Sequence, residues 1–303
     1  MDSSIQRLRE VAAQALSDSL AALPNGVEVD LVCRFIDAAQ DLGPLDHYKH
    51  FNQASRDIAE SVKRRGSAEH VKQFLRTAIM QSIGALIDKG VLNTLPERVL
   101  RHQVRQLERI ACTPASSDAW TDLDDDLFQK DFGLATLRLY AAAAQLIDRR
   151  CGIPRSLVLR EGVLSAPPKL ATVLRLGGTQ PYFQIHTHLS YLDEFNEAGW
   201  NECYLTCRDL YQVHPEVLGM YGSSWFYDPS IQQVSPRLQY LRRVPLSGGA
   251  DFWLAETEGH FVEDAIATSP TRRKLYEEGK YLPRSFMMLW GKTDQLQWAS
   301  RNL

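Results

Sequence analysis

Residues 182–190 read YFQIHTHLS and residues 217–229 read VLGMYGSSWFYDP, and these two stretches decide the predicted fold. The first stretch alternates apolar and polar side chains with the period of two that is typical of a strand. The second stretch also predicts a strand, over Val217–Asp228, and it contains Gly219 and Gly222. Because glycine inside a strand often marks the close approach of another backbone or a ligand, we expect a cleft beside this strand.

A pair of histidines, His186 and His188, lies in the first of these strands. Their spacing of two residues places both imidazoles on one face of a sheet, because side chains alternate across a strand. Two imidazoles on one face suit a metal ion, a proton relay or an anion. The alternative is structural, with one histidine hydrogen-bonded within the sheet and the other at the end of the strand.

The composition of the 303 residues is that of a globular protein, with 44% hydrophobic and 23% charged residues. A formal net charge of -3 argues against a nucleic-acid binder, which needs a concentrated basic surface. No segment approaches the ~20 apolar residues of a membrane span, and the opening Met-Asp-Ser-Ser does not resemble a signal peptide. Five cysteines without the spacing of a disulfide scaffold fit a reducing compartment. We therefore expect a cytoplasmic protein that binds neither nucleic acid nor membrane.

The first half of the chain predicts helices, because apolar residues recur at helical spacing and glycine or proline separates the segments. The first helix is expected to end at Pro24–Gly26, and Gly152 with Pro154 marks a domain boundary. The chain then divides into a helical bundle, 1–152, and a second domain, 153–303. The predicted helices of the bundle are Ile5–Leu20, Val29–Leu42, Asp46–Arg65, Ser67–Lys89, Pro96–Ala111 and Leu127–Arg150.

Beyond Gly152 the pattern changes to strands and shorter helices, which predicts an α/β (α+β) fold with a mixed sheet. The clearest helix has Ser269 as its cap, Pro270 at its first position and Gly279 just past its end. Another helix is expected to end at Gly199. The predicted strands are Ser156–Val163, Ala171–Leu176, Tyr182–His188, Val217–Asp228, Ala250–Glu256 and Ser285–Trp290.

One segment near the C-terminus resembles a known family. Residues 275–281 read LYEEGKY, which is similar to the Leu-Tyr-Glu-Lys-x-Gly-Phe segment of the GCN5-related N-acetyltransferase (GNAT) family. The order of strands and helices from Gly222 to Trp290 also resembles the second half of that family. The family's pyrophosphate loop, Gln/Arg-x-x-Gly-x-Gly/Ala, corresponds to residues 232–237, where Ser235 and Arg237 replace the glycines.

The resemblance implies an acyltransferase that uses acyl-CoA or an acyl carrier and acts on a small-molecule amine or a carrier-bound substrate. Tyr276 would protonate the departing thiolate, and His186 or His188 would serve as the base. The aromatic strand and nearby arginines would bind substrate through Ser224, Trp225, Tyr227, Arg237 and Arg284.

Two other functions stay open. The first is a metal-dependent enzyme in which His186, His188 and Glu194 hold iron or zinc. The second is a non-catalytic GNAT-like protein, because the altered loop at residues 232–237 lacks the glycines that let backbone amides approach phosphate. In any of these cases the helical domain provides a surface for a possible homodimer.

Overall fold

The computed structural model describes residues 3–23, 27–43 and 45–302. It confirms an α/β fold with an N-terminal helical region. The chain forms two compact units, Met1–Ala141 and Ala142–Leu303, which divide upstream of the predicted boundary at Gly152. The predicted helix end at Pro24–Gly26 lies outside the described residues.

The helical unit is built around its fourth helix, which is buried on most sides and packs against the first, second, third and sixth helices. A cluster of stacked and edge-on phenylalanines fills the centre, including Phe35, Phe74 and Phe132. The helices of this unit are α1 (Ser3–Ala21), α2 (Val29–Gln40), α3 (Gln53–Arg65), α4 (Ala68–Asp88), α5 (Glu97–Ala111) and α6 (Asp126–Ala135).

The predicted long helix Leu127–Arg150 is wrong. Helix α6 ends at Ala135, after which the chain forms strand β1 (Leu139–Ala142) and strand β2 (Gln145–Cys151). The alanines that favoured a helix lie in a hairpin, and Ala143 takes a φ of 55° at its turn. Their small side chains are completely buried there, so strand pairing and close packing override the helix propensity of alanine.

A mixed sheet of six strands runs in the order β1-β2-β3-β4-β6-β5. Strands β3 and β4 pair in parallel, whereas β2 with β3, β4 with β6 and β5 with β6 pair antiparallel. A parallel pair requires a crossover, and a long helix between the two strands supplies it. The remaining strands are β3 (Tyr182–Thr187), β4 (Gly219–Ser224), β5 (Asp251–Glu256) and β6 (Ser285–Gly291).

Two predicted strands, Ser156–Val163 and Ala171–Leu176, are wrong because both segments are helical. Two prolines occupy the first turn of the second helix, a position where proline's missing N–H costs nothing. Each helix buries an apolar side chain, Leu157 or Val173, in the core on the sheet, and Val158 of the first helix packs against the same core. The helices of the second unit are α7 (Ser156–Leu159), α8 (Ala166–Arg175), α9 (Glu197–Leu210), α10 (Ile231–Val234), α11 (Tyr240–Ser247), α12 (Phe261–Ala267), α13 (Pro270–Glu277) and α14 (Lys292–Ser300).

The sheet of the second unit is covered on both faces. One face packs under α7 and α8 through a core that includes Tyr182, Tyr221 and Leu289. On the other face Trp290 of β6 lies edge-on to Tyr204 of α9, with ring centroids 5.2 Å apart. Within the described part of the chain, no helix combines the length and apolar character needed to cross a membrane.

Candidate functional site

The parallel strands β3 and β4 pair over a short distance only. Phe183 lies opposite Met220 and Gln184 lies opposite Tyr221 in the register. The Tyr221 hydroxyl donates a hydrogen bond of 2.8 Å to the Gln184 side chain, which fixes the two strands at this point.

Beyond this pairing the two strands have no further register pair among the residues with described positions, and we call residues Ile185–Thr187 and Gly222–Ser224 the splay. The outer edges remain paired, since Thr187 lies opposite Gln145 of β2 and Ser224 lies opposite Phe286 of β6. The inner edges of these two segments are therefore unpaired in the register of the described residues, and such edges can hydrogen-bond an extended ligand.

A buried tyrosine hydroxyl lies beside the splay. A Cβ placed on Gly222 would be 3.4 Å from Tyr227 Oη and 3.6 Å from the Cβ of Ile185. Tyr227 is 1% exposed and packs edge-on against Phe226 and Phe252, with centroid distances of 4.8 and 5.6 Å. No hydrogen-bond partner for Tyr227 Oη exists within the described ranges. Burial raises the pKa of this phenol, so it stays protonated at neutral pH.

The two candidate histidines have different surroundings. His186 lies within β3, opposite Leu146 of β2, and is partly exposed. His188 is buried at the end of the strand, and its Nδ1 accepts a 3.0 Å hydrogen bond from the Ser190 N–H. It thereby caps the 3₁₀ helix Leu189–Glu194. His188 is a strand-end residue, as the structural interpretation predicts, and its Nδ1 is an acceptor.

The proposed metal ligands His186, His188 and Glu194 do not converge. In the part of the chain that the structure describes, their ligand atoms form no group within 4.8 Å of one another. His188 caps the N-terminus of the 3₁₀ helix and Glu194 is its last residue, so these two side chains lie at opposite ends of that helix. This arrangement gives the metal hypothesis no support.

Helix α9 lies between β3 and β4 and follows the 3₁₀ helix Leu189–Glu194. Its cap is Asn196, whose side chain accepts a 3.1 Å hydrogen bond from the Gly199 N–H. The prediction that Gly199 ends a helix is wrong, because it lies in the first turn of α9. A Cβ at this position would lie 2.0 Å from the carbonyl oxygen of Glu194, so glycine allows the chain to turn tightly into the helix.

Segment 232–237, the predicted phosphate loop, is occupied by side-chain contacts. Ser235 is buried and its Oγ accepts a 3.0 Å hydrogen bond from Nη1 of Arg272. Arg237 lies in the 3₁₀ helix Pro236–Leu238 and is exposed. Arg237, the cation that replaces a glycine of the family's loop, is therefore exposed to solvent. Ser235, which replaces the other glycine, is hydrogen-bonded in the core.

Arg272 of α13 is buried, whereas the neighbouring Arg273 is exposed. Arg272 is 2% exposed, and its guanidinium lies 4.5 Å from the ring centroid of Trp225. It also donates to the carbonyl of Ala265 and to Ser235. Nothing in the local charge pattern distinguishes it from Arg273. The only sequence signal is its place three residues after the cap Ser269.

A second arginine pairs with the acid at the end of the aromatic segment. Asp228 is buried and accepts two hydrogen bonds of 3.1 Å from the guanidinium of Arg284. The Ser230 N–H donates to the same carboxylate at 2.9 Å, so Asp228 caps the turn that follows the aromatic segment. The bond to Asp228 raises the pKa of Arg284, whose side chain is 44% exposed.

The remaining candidate site residues lie at the end of β4 and on α13. Ser224 ends β4 and is partly exposed, and Trp225 begins the 3₁₀ helix Trp225–Tyr227. Tyr276 lies on α13, in the connection between β5 and β6, and is 37% exposed. The structure thus places Tyr227, rather than Tyr276, with its hydroxyl against Gly222.

No protein-family profile and no curated protein sequence matches this chain. Among solved structures, the crystal structure of an acyltransferase in complex with decanoyl-CoA and teicoplanin aligns with a TM-score of 0.50 at 12% identity. The alignment covers 94% of this chain and 86% of that chain. An acyltransferase in complex with decanoyl-CoA aligns with a TM-score of 0.47 at 12% identity, covering 86% and 75%. The first likeness shows a similar fold.

Proposed function

We propose that this chain is an acyltransferase of GNAT-like fold that binds acyl-CoA in the splay between β3 and β4. The observation that carries the proposal is the buried Tyr227 hydroxyl, which lies against Gly222 without a hydrogen-bond partner among the described residues. Such a hydroxyl is costly to bury unless a ligand completes its hydrogen bonding. The similar fold of an acyltransferase crystallised with decanoyl-CoA and teicoplanin makes a thioester the first ligand to test.

The inner strand edges suit the pantetheine arm of coenzyme A. That arm is extended and carries two amide groups, which can pair with backbone N–H and C=O groups like an added strand. The outer edges of β3 and β4 are already paired with β2 and β6, so only the edges of the splay are available. An arm bound there would place its sulfur near Tyr227.

The phosphates of the coenzyme would bind at the N-terminus of α9. The first-turn amides and the dipole of a helix favour anions, and α9 begins at Glu197, after the 3₁₀ helix that follows β3. The exposed Arg237 would add a positive charge in place of the glycines of the usual loop. Under this proposal the phosphates bind at the N-terminus of α9, and not at residues 232–237, where the resemblance to the GNAT family places the phosphate loop.

The transfer moves an acyl group from the thioester sulfur to an amine nitrogen. His186 would accept a proton from the amine, directly or through water, because imidazole titrates near neutral pH. Backbone N–H groups of the splay would stabilise the tetrahedral oxyanion. Tyr227, or Tyr276 as the family resemblance implies, would donate a proton to the thiolate that leaves. Ser224, Trp225 and the exposed part of Arg284 would contact the small-molecule or carrier-bound acceptor.

The binding site can be tested with decanoyl-CoA by isothermal titration of the full chain. Gly222→Val fills the space in front of Tyr227 and is expected to weaken binding at least tenfold. Ser223→Val adds the same side chain at the next residue, whose side chain is exposed and points to the other face of the strand. This control is expected to keep the wild-type affinity. Equal affinity in both variants would place the ligand elsewhere, and no binding to the wild type would refute the proposal.

Turnover separates an enzyme from a binding protein of the same fold. Release of the coenzyme thiol from decanoyl-CoA is measured with a panel of small amines, and His186→Ala is expected to slow it about 10²–10⁴-fold. Tight binding without thiol release for any amine would support the non-catalytic function. Stoichiometric zinc or iron in the untagged protein, lost in both His186→Ala and His188→Ala, would support the metal-dependent enzyme instead.

A further inference from the structure

The helical unit contains an open groove that the proposed acyltransfer does not use. It has a volume of about 570 Å³ and lies between α1, α4 and the segment that follows α5. Small apolar side chains form much of its wall. These are Val11, Ala15, Ala22, Ala111, Pro114 and Ala115.

Arg76 of α4 lies at the bottom of this groove. It is 8% exposed, so more than nine-tenths of the residue is buried. For residues 3–23, 27–43 and 45–302, no hydrogen bond or ion pair to its guanidinium is found. None of its nitrogens is enclosed without a partner, so the guanidinium faces the open groove with its five N–H donors. An acceptor that enters the groove can therefore pair with it in place of solvent.

The guanidinium is held in place from behind by an aromatic ring. It lies 5.6 Å from the ring centroid of Trp120. The indole N–H of Trp120 donates a 2.9 Å hydrogen bond to the buried carboxylate of Asp131, which also pairs with Arg109. Because the ring is fixed by this network, Arg76 is oriented before any ligand binds, which lowers the entropy lost on binding.

The charges at the rim select the class of anion. Glu10 and Asp18 are exposed residues of α1 that line the same groove, and Gln14 donates a 2.8 Å hydrogen bond to Asp18. Burial lowers the pKa of Arg76, and the charge of Asp18 opposes this change. Two acids around one cation disfavour a dianion such as a phosphate monoester. A singly charged, planar carboxylate matches the fork of a guanidinium.

We propose that this groove binds a monocarboxylate with a compact apolar body, with its carboxylate paired to Arg76 and its body against the alanines of the wall. The site is separate from the splay and does not depend on the function proposed for it. A bidentate pair in a buried setting would contribute much of the affinity, and the apolar wall would add the rest.

Hexanoate is a suitable probe, titrated into the full chain by calorimetry or ligand-observed NMR. Arg76→Met is expected to weaken hexanoate binding at least tenfold without lowering the melting temperature, because the guanidinium makes no hydrogen bond or ion pair among the described residues. Arg64→Met removes the same charge from an exposed position of α3 and is expected to leave binding unchanged. Gly222→Val, which blocks the splay, is also expected to leave hexanoate binding unchanged.

Two further measurements keep the proposal falsifiable if Arg76→Met fails to fold. Ala115→Phe changes an exposed residue of the wall, leaves Arg76 intact and is expected to block binding by filling the groove. Hexanamide and hexyl phosphate have the same chain with different heads, and both are expected to bind at least tenfold more weakly than hexanoate. Equal binding of hexanamide, or hexanoate affinity that survives both groove variants, would overturn the proposal.

Discussion

At the scale of single residues, Tyr227 is the position where packing and hydrogen bonding conflict. Its ring is well packed against Phe226 and Phe252, whereas its hydroxyl is buried beside Gly222 with no partner in the described ranges. Packing alone would favour phenylalanine here, because an unsatisfied hydroxyl costs about 1–3 kcal/mol when buried. The retained hydroxyl is therefore best explained by a ligand.

Tyr227→Phe separates these two contributions. We expect the free energy of unfolding to stay unchanged or to rise by about 1 kcal/mol, since a buried unsatisfied group is removed. We also expect the rate of acyl transfer to fall about 10²–10⁴-fold if the hydroxyl donates the proton. Urea denaturation and thiol-release kinetics measure the two effects. Tyr276→Phe is the matched control, and a larger loss of rate in that variant would return the acid role to Tyr276.

Asp228→Asn tests the ion pair that organises the turn after the aromatic segment. The change weakens the hydrogen bonds that the carboxylate accepts, two from the Arg284 guanidinium, one from the Arg284 N–H and one from the Ser230 N–H. We expect the free energy of unfolding to fall by about 1–3 kcal/mol, with the lower part of this range favoured because Arg284 is 44% exposed and solvated. Chemical denaturation gives the value. Unchanged stability would mean that Arg284 is held only loosely and is free for a substrate.

At the scale of secondary structure, sequence patterns predict elements well where local signals agree with the sheet. Helix α13, with its Ser269 cap and with Gly279 at a φ of +68°, forms as predicted. The hairpin β1–β2 could not be predicted, because its alanines favour a helix and only pairing with β3 makes it a strand. The segments that form α7 and α8 are predicted as strands because they are short and apolar. Short apolar runs fit a strand or a buried helix equally well, and tertiary contacts decide between them.

Gly199→Ala tests the tight entry into α9. Alanine normally stabilises a helix relative to glycine by about 1 kcal/mol. Here its Cβ would lie 2.0 Å from the Glu194 carbonyl oxygen, so the backbone must move, and we expect a loss of about 1–3 kcal/mol. Gly84→Ala in α4 is the control, because its Cβ would meet only Leu16 at 3.9 Å. Thermal unfolding of both variants should show shifts of opposite sign.

At the scale of the whole molecule, composition and patterning predict the fold class, whereas the site depends on strand order. The sequence identifies His186 and the glycines around Gly222 as unusual, but it does not reveal that the pairing of β3 with β4 stops after Gln184. The contact between Gly222 and Tyr227 likewise follows from the turn after β4. The buried Arg272 carries no distinguishing pattern, since charge alone predicts exposure.

Thiol reactivity gives a test of the complete fold. All five cysteines are free, and Cys151, Cys203 and Cys207 are buried, whereas Cys112 is exposed and Cys33 is partly exposed. Burial raises the pKa of the Cys203 thiol, which further slows its reaction. We expect one thiol to react rapidly with a disulfide reagent in the native protein, a second to react slowly, and all five to react in denaturant. Cys112→Ser should abolish the rapid phase, and rapid reaction of more thiols would contradict the packing described.

Trp225, which follows the last residue of the splay, also gives the protein a built-in optical probe. It is partly exposed, whereas the other tryptophans, Trp120, Trp200, Trp253, Trp290 and Trp298, are all buried. A small neutral quencher such as acrylamide should therefore act mainly on the emission of Trp225. Because Arg272 lies 4.5 Å from the centroid of its ring and Phe226 is next to it, we expect a ligand that binds beside β4 to change the fluorescence of this indole. Occupancy of the cleft can thus be followed in real time without a label.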